Sequence, residues 1–179
     1  GVGYEYDGKV YPGKFGHAGG MTNTCSFCHL SDHTFKPKLT AACTTCHPEA
    51  NGDLEAIRRN RTIDYDGDMD ATEHLKDEVA TFGNRLFDAM QDYAAKQGLP
   101  VLTYGDSYPY FGKEGGGSYP FDAAMLKASF NYQMWQKEPG AWAHNTHYIL
   151  SLLYDSIDDL QSSTGTPLDQ DYTEGLTRP

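Results

Sequence analysis

The chain contains four cysteines, which form two Cys-x-x-Cys pairs, and a histidine directly follows each pair. The six residues are Cys25, Cys28 and His29 in the first motif, and Cys43, Cys46 and His47 in the second. Two thiols at this spacing can add to the two vinyl groups of one porphyrin, and the adjacent histidine can then bind the iron as its proximal ligand. The motifs therefore predict two covalently attached c-type haems.

Two other uses of four cysteines compete with haem attachment. A zinc ribbon also has two Cys-x-x-Cys pairs at a similar separation, and a disulfide framework also uses an even number of cysteines. Neither requires a histidine directly after both pairs, whereas haem attachment does. The sequence therefore favours haem over zinc or disulfides.

The distal ligand of each iron decides between electron transfer and chemistry on a substrate. A protein side chain in the sixth position favours electron transfer, and an open position allows a substrate to bind. Five histidines lie outside the motifs, enough for two bis-histidine irons. The preferred distal ligands are His17, His33 and His144. Because two irons need only two of them, the third could reach a haem of another chain or segment.

The positions of these histidines indicate different roles. His33 lies four residues after His29, too near to fold back onto the same iron, so we expect it to serve the neighbouring haem. His17 lies in a glycine-containing approach to the first motif. His144 follows Pro139 and Gly140 near the start of a predicted helix, where it would dock the helical part of the chain onto a haem.

Other side chains are weaker candidates for the sixth position. His147 and His74 come after the three preferred histidines, since the neighbours of His74 suggest an exposed helix start. Methionine ligation by Met21 or Met69 would raise the reduction potential. The surplus of histidine favours histidine over methionine.

A dense acidic loop follows the haem motifs. Its carboxylates are Asp64, Asp66, Asp68, Asp70 and Glu73. Unless a cation binds among them they repel one another, and oxygen ligands suit calcium. The loop resembles an EF-hand loop, but Met69 occupies the position of the loop glycine and Glu73 comes two residues early. We expect an EF-like calcium site; the alternative is a solvated acidic cap on the next helix.

The chain that must position these groups is predicted to divide into three parts. Residues 1–62 form a dihaem module with little secondary structure, because only 13 residues separate His29 from Cys43 and the haems must be close neighbours. Residues 63–161 form a helical module opened by the acidic loop, and residues 162–179 form an irregular tail. The predicted fold is mainly α with much irregular structure, a dihaem module followed by three helices.

Apolar spacing and terminating residues predict the three helices. The first carries apolar residues at steps of three and four and ends before Gly98; they are Leu75, Val79, Phe82, Leu86, Met90 and Tyr93. The second is capped by Asp122 and buries Leu126, Phe130 and Met134. The third runs from about Ala141 to about Leu160, with a stripe formed by Trp142, Ile149, Leu153, Ile157 and Leu160. Between the first two, residues 99–121 are predicted to form a surface loop.

Charge and hydropathy narrow the class of partner. Asp and Glu number 25 against 14 Lys and Arg, for a formal net charge of −11. Such a chain is a poor ligand for nucleic acid or an anionic membrane surface, and suits a basic redox partner or an oxide mineral surface.

No apolar run is long enough to cross a bilayer. No signal peptide is visible, so we expect that a leader was removed or that an upstream part is missing.

The run from His17-Ala-Gly-Gly through the two motifs, including His33-Thr34, resembles the closing segment of secreted multihaem c-type cytochromes of metal-respiring anaerobic bacteria. Later stretches are also similar: the Asp-Gly-Asp loop, Ser107-Tyr-Pro-Tyr110, Pro139-Gly-Ala-Trp-Ala-His144-Asn and Leu176-Thr-Arg-Pro179. The resemblance implies bis-histidine haems that pass electrons to outer-surface acceptors, with His17, His33 and His144 as distal ligands. Members of that family usually carry more than two haems.

The expected function is electron transfer, as a carrier or a segment of a multihaem conduit, with no reaction on a substrate. Haem attachment takes place outside the cytoplasm, so a periplasmic or extracellular location is expected. Expected partners are other redox proteins or copies of the chain itself. Two alternatives stay open: a structural subunit of an extracellular haem filament, and a haem enzyme, such as a peroxidase or oxyanion reductase, with an open iron.

Overall fold

The computed structural model describes residues 2–13, 16–17, 25–29, 34, 36–58 and 61–179. Within these ranges the protein is mainly helical and has one small two-stranded sheet, so the predicted mainly α fold is confirmed. The helices are α1 Cys25–His29, α2 Ala41–Cys46, α3 Leu75–Lys96, α4 Ala123–Lys137, α5 Ala141–His144 and α6 Thr146–Ser162, and a 3-10 turn, Pro48–Ala50, follows α2. The strands are β1 Leu102–Tyr104 and β2 Phe111–Lys113.

Helix α3 is the central helix of the core, and it packs against both α4 and α6. The apolar residues predicted for its buried face are all buried: Leu75, Val79, Phe82, Leu86, Met90 and Tyr93. The helix ends at Lys96, two residues before Gly98, whose positive φ turns the chain away from the helix axis. The first predicted helix is therefore confirmed.

Helix α4 begins where its cap was predicted, but it buries a different face. The Asp122 carboxylate accepts a hydrogen bond from the Met125 amide at 2.8 Å, as an N-cap does. The prediction that Leu126 and Phe130 are buried is wrong, since they are 56% and 54% exposed. The buried residues are mostly small or polar: Ala124, Met125, Ala128, Ser129, Asn131 and Tyr132.

Close packing against α3 explains the face that α4 buries. A Cβ added at Gly83 of α3 would lie 2.2 Å from the indole ring of Trp135, so the two helices meet with no room for a larger side chain. On another side of α4, Asn131 is fully buried and hydrogen-bonds the backbone of Tyr4 in both directions. The contacts with α3 and with the N-terminal segment therefore set the face that α4 buries, and Leu126 and Phe130 lie outside them.

The third predicted helix is two helices. Asn145 interrupts it with non-helical backbone angles, φ −160° and ψ 71°, between α5 and α6, and its side-chain amide donates a hydrogen bond to the Gly13 carbonyl at 3.1 Å. His144 is therefore the last residue of the short helix α5 and does not start the long one. The predicted stripe is buried in α6, while Trp142 in α5 is only partly buried.

The segment predicted as a surface loop between the first two helices contains the sheet, so that prediction is wrong for β1 and β2. The strands pair antiparallel, with Leu102 opposite Lys113. The side chain of Gln91 in α3 accepts a hydrogen bond from the Leu102 amide at 3.2 Å and donates one to its carbonyl at 2.6 Å. Helix α3 thus supplies a hydrogen-bonding partner for β1, which the local sequence of residues 99–121 alone does not reveal.

The N-terminal segment and the C-terminal segment both pack on the helices. The Tyr6 hydroxyl donates a hydrogen bond to Ser156 of α6 at 3.1 Å. In the last residues, which contain no helix or strand after Ser162, the Thr177 amide donates to the Tyr65 carbonyl at 2.7 Å. Arg178 forms a two-pronged pair with Asp155 at 2.8 Å on each side. Among the described residues, no helix is both long and apolar enough to cross a bilayer.

Candidate functional site

Both cysteine motifs lie on short helical turns. Helix α1 carries Cys25, Cys28 and His29, and helix α2 ends at Cys46 with His47 as its C-terminal cap. Cysteines three residues apart on a helical turn project from the same face, so each pair presents two sulfurs side by side. All four are free thiols, three exposed and Cys43 partly buried, so they are accessible to a reacting group.

The two motifs lie close to each other. Burial raises the pKa of the Cys28 thiol, and the neighbouring thiols Cys43 and Cys25 raise it further. Cys43 belongs to the second motif, so its influence on Cys28 indicates adjacent sites. The Lys38 amide also donates a hydrogen bond to the Cys28 carbonyl at 2.9 Å, which ties the linker between the motifs back to α1.

The cysteines do not converge as a zinc site requires. Four sulfurs around one zinc lie about 3.8 Å from one another, since each Zn–S bond is about 2.3 Å. In the described ranges, no three cysteine or histidine ligand atoms lie within 4.8 Å of one another, and the cysteines form no disulfide. In this structure the four cysteines thus form neither a four-sulfur cluster nor a disulfide.

Each motif histidine faces a histidine that is distant in the sequence. The ring centroids of His17 and His47 are 6.1 Å apart, with an angle of 73° between the ring planes. Those of His29 and His144 are 6.2 Å apart, with an angle of 58°. The two pairs share no member, so each motif has one histidine opposite its own.

These separations fit one iron between two imidazoles. An imidazole nitrogen binds a metal at about 2.0 Å, so two rings on opposite sides of one iron have centroids about 6 Å apart. All four rings lie at least partly at the surface, and the His144 side chain is 60% exposed. None of the four rings is buried, so the pairs are not contacts of the apolar core, and each pair could hold one iron.

A carboxylate holds one ring of each pair. The Nδ1 atom of His47 lies 3.0 Å from Glu49 Oε1, and the Nδ1 atom of His144 lies 3.0 Å from Glu138 Oε1. A ring that donates its Nδ1 proton to a carboxylate presents its Nε2 lone pair to a metal. Sequence reasoning missed both glutamates; the available signal was an acidic residue two positions after His47 and another six positions before His144.

The two carboxylates have different surroundings. Glu49 also pairs with the Arg61 guanidinium through its other oxygen. Burial raises the pKa of Glu49, but the hydrogen bonds from its own amide and His47 and the charge of Arg61 outweigh that and lower it. Glu138 Oε1 accepts a second hydrogen bond, from the Gly140 amide at 3.0 Å.

The remaining ligand candidates are in other surroundings. His33 and Met21 lie outside the described residues. His147 Nε2 lies 2.8 Å from the Tyr65 hydroxyl, and His74 Nε2 lies 3.2 Å from Asp53 Oδ2. Met69 is 95% exposed.

The acidic loop brings three of its five carboxylates together. One oxygen from each of Asp64, Asp66 and Asp68 lies within 4.8 Å of the others. Asp70 is directed elsewhere, since one of its oxygens accepts hydrogen bonds from the amide and hydroxyl of Thr72 at 2.8 and 2.6 Å. Glu73 is not a member of the three-residue cluster.

Glu73 nevertheless responds to the negative charge of the loop. Burial raises the pKa of Glu73 to about 7, and Asp66 and Asp68 are the next largest causes. One of its oxygens is buried without a hydrogen-bond partner. Met69, at the position of the EF-hand glycine, has a φ of 76°, the left-handed conformation that glycine adopts without strain.

Comparison with protein-family models, with curated proteins and with solved structures finds no match to this chain. The interpretation of the site therefore depends on its residues and their geometry.

Proposed function

We propose that the protein carries two covalently attached c-type haems, each bound by two histidines, and transfers electrons through them. The observation that carries the proposal is the pair of histidine contacts, in which both motif histidines face a second ring at 6.1 and 6.2 Å. A chance arrangement would have to provide a partner for both motifs at the same separation.

The ring pairs support one assignment of the distal ligands to the two proposed haems. The haem attached at Cys25 and Cys28 would be bound by His29 and His144. The haem attached at Cys43 and Cys46 would be bound by His47 and His17. The assignment uses two of the three histidines that the sequence favours, and the third, His33, is not needed for either iron.

The chemistry follows from the ligands that the chain provides. A bound haem exchanges one electron between ferric and ferrous iron. Histidines on both sides leave no position for a substrate, which favours electron transfer over the peroxidase or reductase alternative. The surplus of acidic residues stabilises the oxidised form and lowers the reduction potential.

Four expectations from the sequence belong to the same proposal. The protein acts in the periplasm or outside the cell, exchanges electrons with other redox proteins or with copies of itself, and is related to the multihaem cytochromes that its motifs resemble. The acidic loop would bind calcium through Asp64, Asp66 and Asp68, since a hard cation offsets the repulsion among carboxylates that lie this close.

The test is to produce the protein with haem-attachment machinery and record its spectra. We expect two haems per chain by the pyridine haemochrome assay, low-spin spectra in both oxidation states and no carbon monoxide binding. Replacing His144 or His17 by alanine should each open one iron to carbon monoxide. The matched control, His74→Ala, should open neither.

Two results would contradict the proposal. A chain that takes up no haem but binds zinc would restore the ribbon alternative. A protein with two haems, one high-spin and open to carbon monoxide, would favour a haem enzyme.

A further inference from the structure

We propose that Glu49 and Glu138 are positioning residues that hold the rings of His47 and His144 and lower the reduction potentials of the two haems, one each, and that Arg61 opposes the effect of Glu49. This inference rests on the proposed function, because it concerns the potentials of the haems assigned there.

The two hydrogen bonds orient the ligand rings. In each pair, one carboxylate oxygen lies 3.0 Å from the Nδ1 atom of the ring. A ring that donates its Nδ1 proton to the carboxylate would keep Nε2 available for the iron, and the carboxylate would make that nitrogen a stronger electron donor. A stronger donor stabilises ferric iron more than ferrous iron, so each glutamate lowers the potential of its own haem.

The contact at His144 occupies a space that the backbone keeps free. A Cβ added at Gly140 would lie 2.5 Å from His144 Cε1 and 2.9 Å from Glu138 Oε1. The Gly140 amide also donates a hydrogen bond to the same carboxylate oxygen. Glu138 is thus held at both the backbone and the ring, although its side chain is 42% exposed.

The contact at His47 includes a counter-charge. Glu49 binds the ring with Oε1 and the Arg61 guanidinium with Oε2. Arg61 therefore draws negative charge away from the ring, and removing it should strengthen the effect of Glu49. Glu138 makes no ion pair with lysine or arginine in the described part of the chain. The opposing effect of an arginine is therefore expected at one haem only.

The experiment is a redox titration of the dihaem protein and of single variants, followed optically. Glu49→Gln and Glu138→Gln keep a hydrogen-bond acceptor of the same size but remove the charge. Glu49→Gln should raise the potential of the haem bound by His47, and Glu138→Gln that of the haem bound by His144. At a fixed applied potential, the ratio of reduced to oxidised haem should rise about tenfold, equivalent to about 59 mV. Arg61→Gln should lower the potential that Glu49→Gln raises. Glu114→Gln, in the exposed turn after β2, is the matched control and should change neither.

A second readout separates orientation from charge. Glu138→Ala removes the acceptor as well, and we expect it to open part of the His29–His144 haem to carbon monoxide, while Glu138→Gln stays low-spin.

The outcomes distinguish this inference from the proposed function. If the protein holds two low-spin haems but Glu49→Gln and Glu138→Gln leave both potentials unchanged, or both move the same one, the inference is wrong and the function stands. It is also wrong if Arg61→Gln raises the potential. If the unmodified protein attaches no haem, the proposed function fails first.

Discussion

Gly140 shows how one missing side chain positions a candidate ligand. Its φ of −95° is open to any residue, so the constraint is one of space and not of backbone conformation. The ring of His144 and the carboxylate of Glu138 occupy the volume that a Cβ would fill. Substituting alanine for Gly140 adds one methyl group and so tests the contact between His144 and Glu138 without removing either side chain.

In the proposed dihaem protein, we expect Gly140→Ala to push the His144 ring aside and to make one haem partly open to carbon monoxide. Stability should fall by less than about 1 kcal/mol, because the atoms that must move are the ends of two exposed side chains. Chemical unfolding and carbon monoxide difference spectra measure the two effects. Gly165→Ala is the control, because nothing lies within 4 Å of its added Cβ, and it should be neutral or slightly stabilising. Equal behaviour of the two variants would mean that the ring moves freely.

At the scale of single residues, the sequence predicts most of the candidate ligands but not which histidines pair with each other. Both motifs, His17 and His144 follow from residue types and spacing. Which histidine faces which motif depends on how α5 lies against α1, and no local pattern contains that information. Glu49 and Glu138 were missed for the same reason, because a glutamate is recognisable as a ring partner only once the position of the ring is known.

At the scale of elements, a buried ion pair joins the segment after the cysteine motifs to α3. Arg58 and Glu78 are 4% and 0% exposed and form a direct ion pair. Arg58 also donates hydrogen bonds to the carbonyls of Glu73 and Ile63 at 2.6 and 2.7 Å. The other oxygen of Glu78 accepts one from the Tyr65 amide at 2.7 Å. One guanidinium thus organises both ends of the acidic loop.

We expect Arg58→Met to reduce the free energy of unfolding by about 3–5 kcal/mol, because it leaves a buried carboxylate without its cation. Burial already raises the pKa of Glu78, which the hydrogen bond from the Tyr65 amide and the contact with Arg58 oppose. The double variant with Glu78→Gln should recover much of the loss, since the amide keeps an acceptor for Tyr65. Denaturant unfolding measures both.

An exposed ion pair provides the control for this prediction. Lys76 and Glu55 pair at 3.0 Å with side chains 53% and 38% exposed, so Lys76→Met should cost at most about 1 kcal/mol. If Arg58→Met costs no more than Lys76→Met, the buried pair does not hold the segment.

Long helices with a clear stripe could be predicted from the sequence, and elements that depend on a partner could not. Helix α3 has one apolar face and a glycine stop, so its position follows from periodicity. Helix α4 has large apolar residues on several sides, and the side that faces α3 is the one carrying Trp135, whose ring packs against Gly83. Strands β1 and β2 have three residues each, too few for a period, and Gln91 of α3 holds the first of them in place.

At the scale of the whole molecule, the net charge of −11 makes stability sensitive to pH and cations. The acidic loop concentrates this effect, because Glu73 has its pKa raised from 4.5 to about 7, first by burial and then by Asp66 and Asp68. Between pH 4.5 and about 7, the Glu73 carboxyl therefore keeps a proton in the folded protein that it loses in the unfolded chain.

Without calcium, we expect stability to fall as pH rises from 4.5 to 7, because the folded state binds more protons than the unfolded state in that range. Calcium should raise the melting temperature most near pH 7 and above, since the cation replaces the proton. Thermal unfolding with calcium and with chelator at both ends of the range measures this. Glu73→Gln should reduce this pH slope, and the part that remains belongs to Glu78, whose pKa is also raised. A melting temperature indifferent to calcium and chelator would show that the loop is only a charged cap.

The two histidine pairs span very different lengths of chain, and this sets an order of assembly. His17 and His47 are separated by about 30 residues and His29 and His144 by about 115, so closing the second loop costs about 1 kcal/mol more in chain entropy. The first pair can meet while only its own segment has collapsed, whereas the second must wait until α3, α4 and α5 have formed and docked. In the proposed dihaem protein, ligation of one iron by both His29 and His144 would therefore be among the last steps of folding, and the absorption spectrum of that haem would report it.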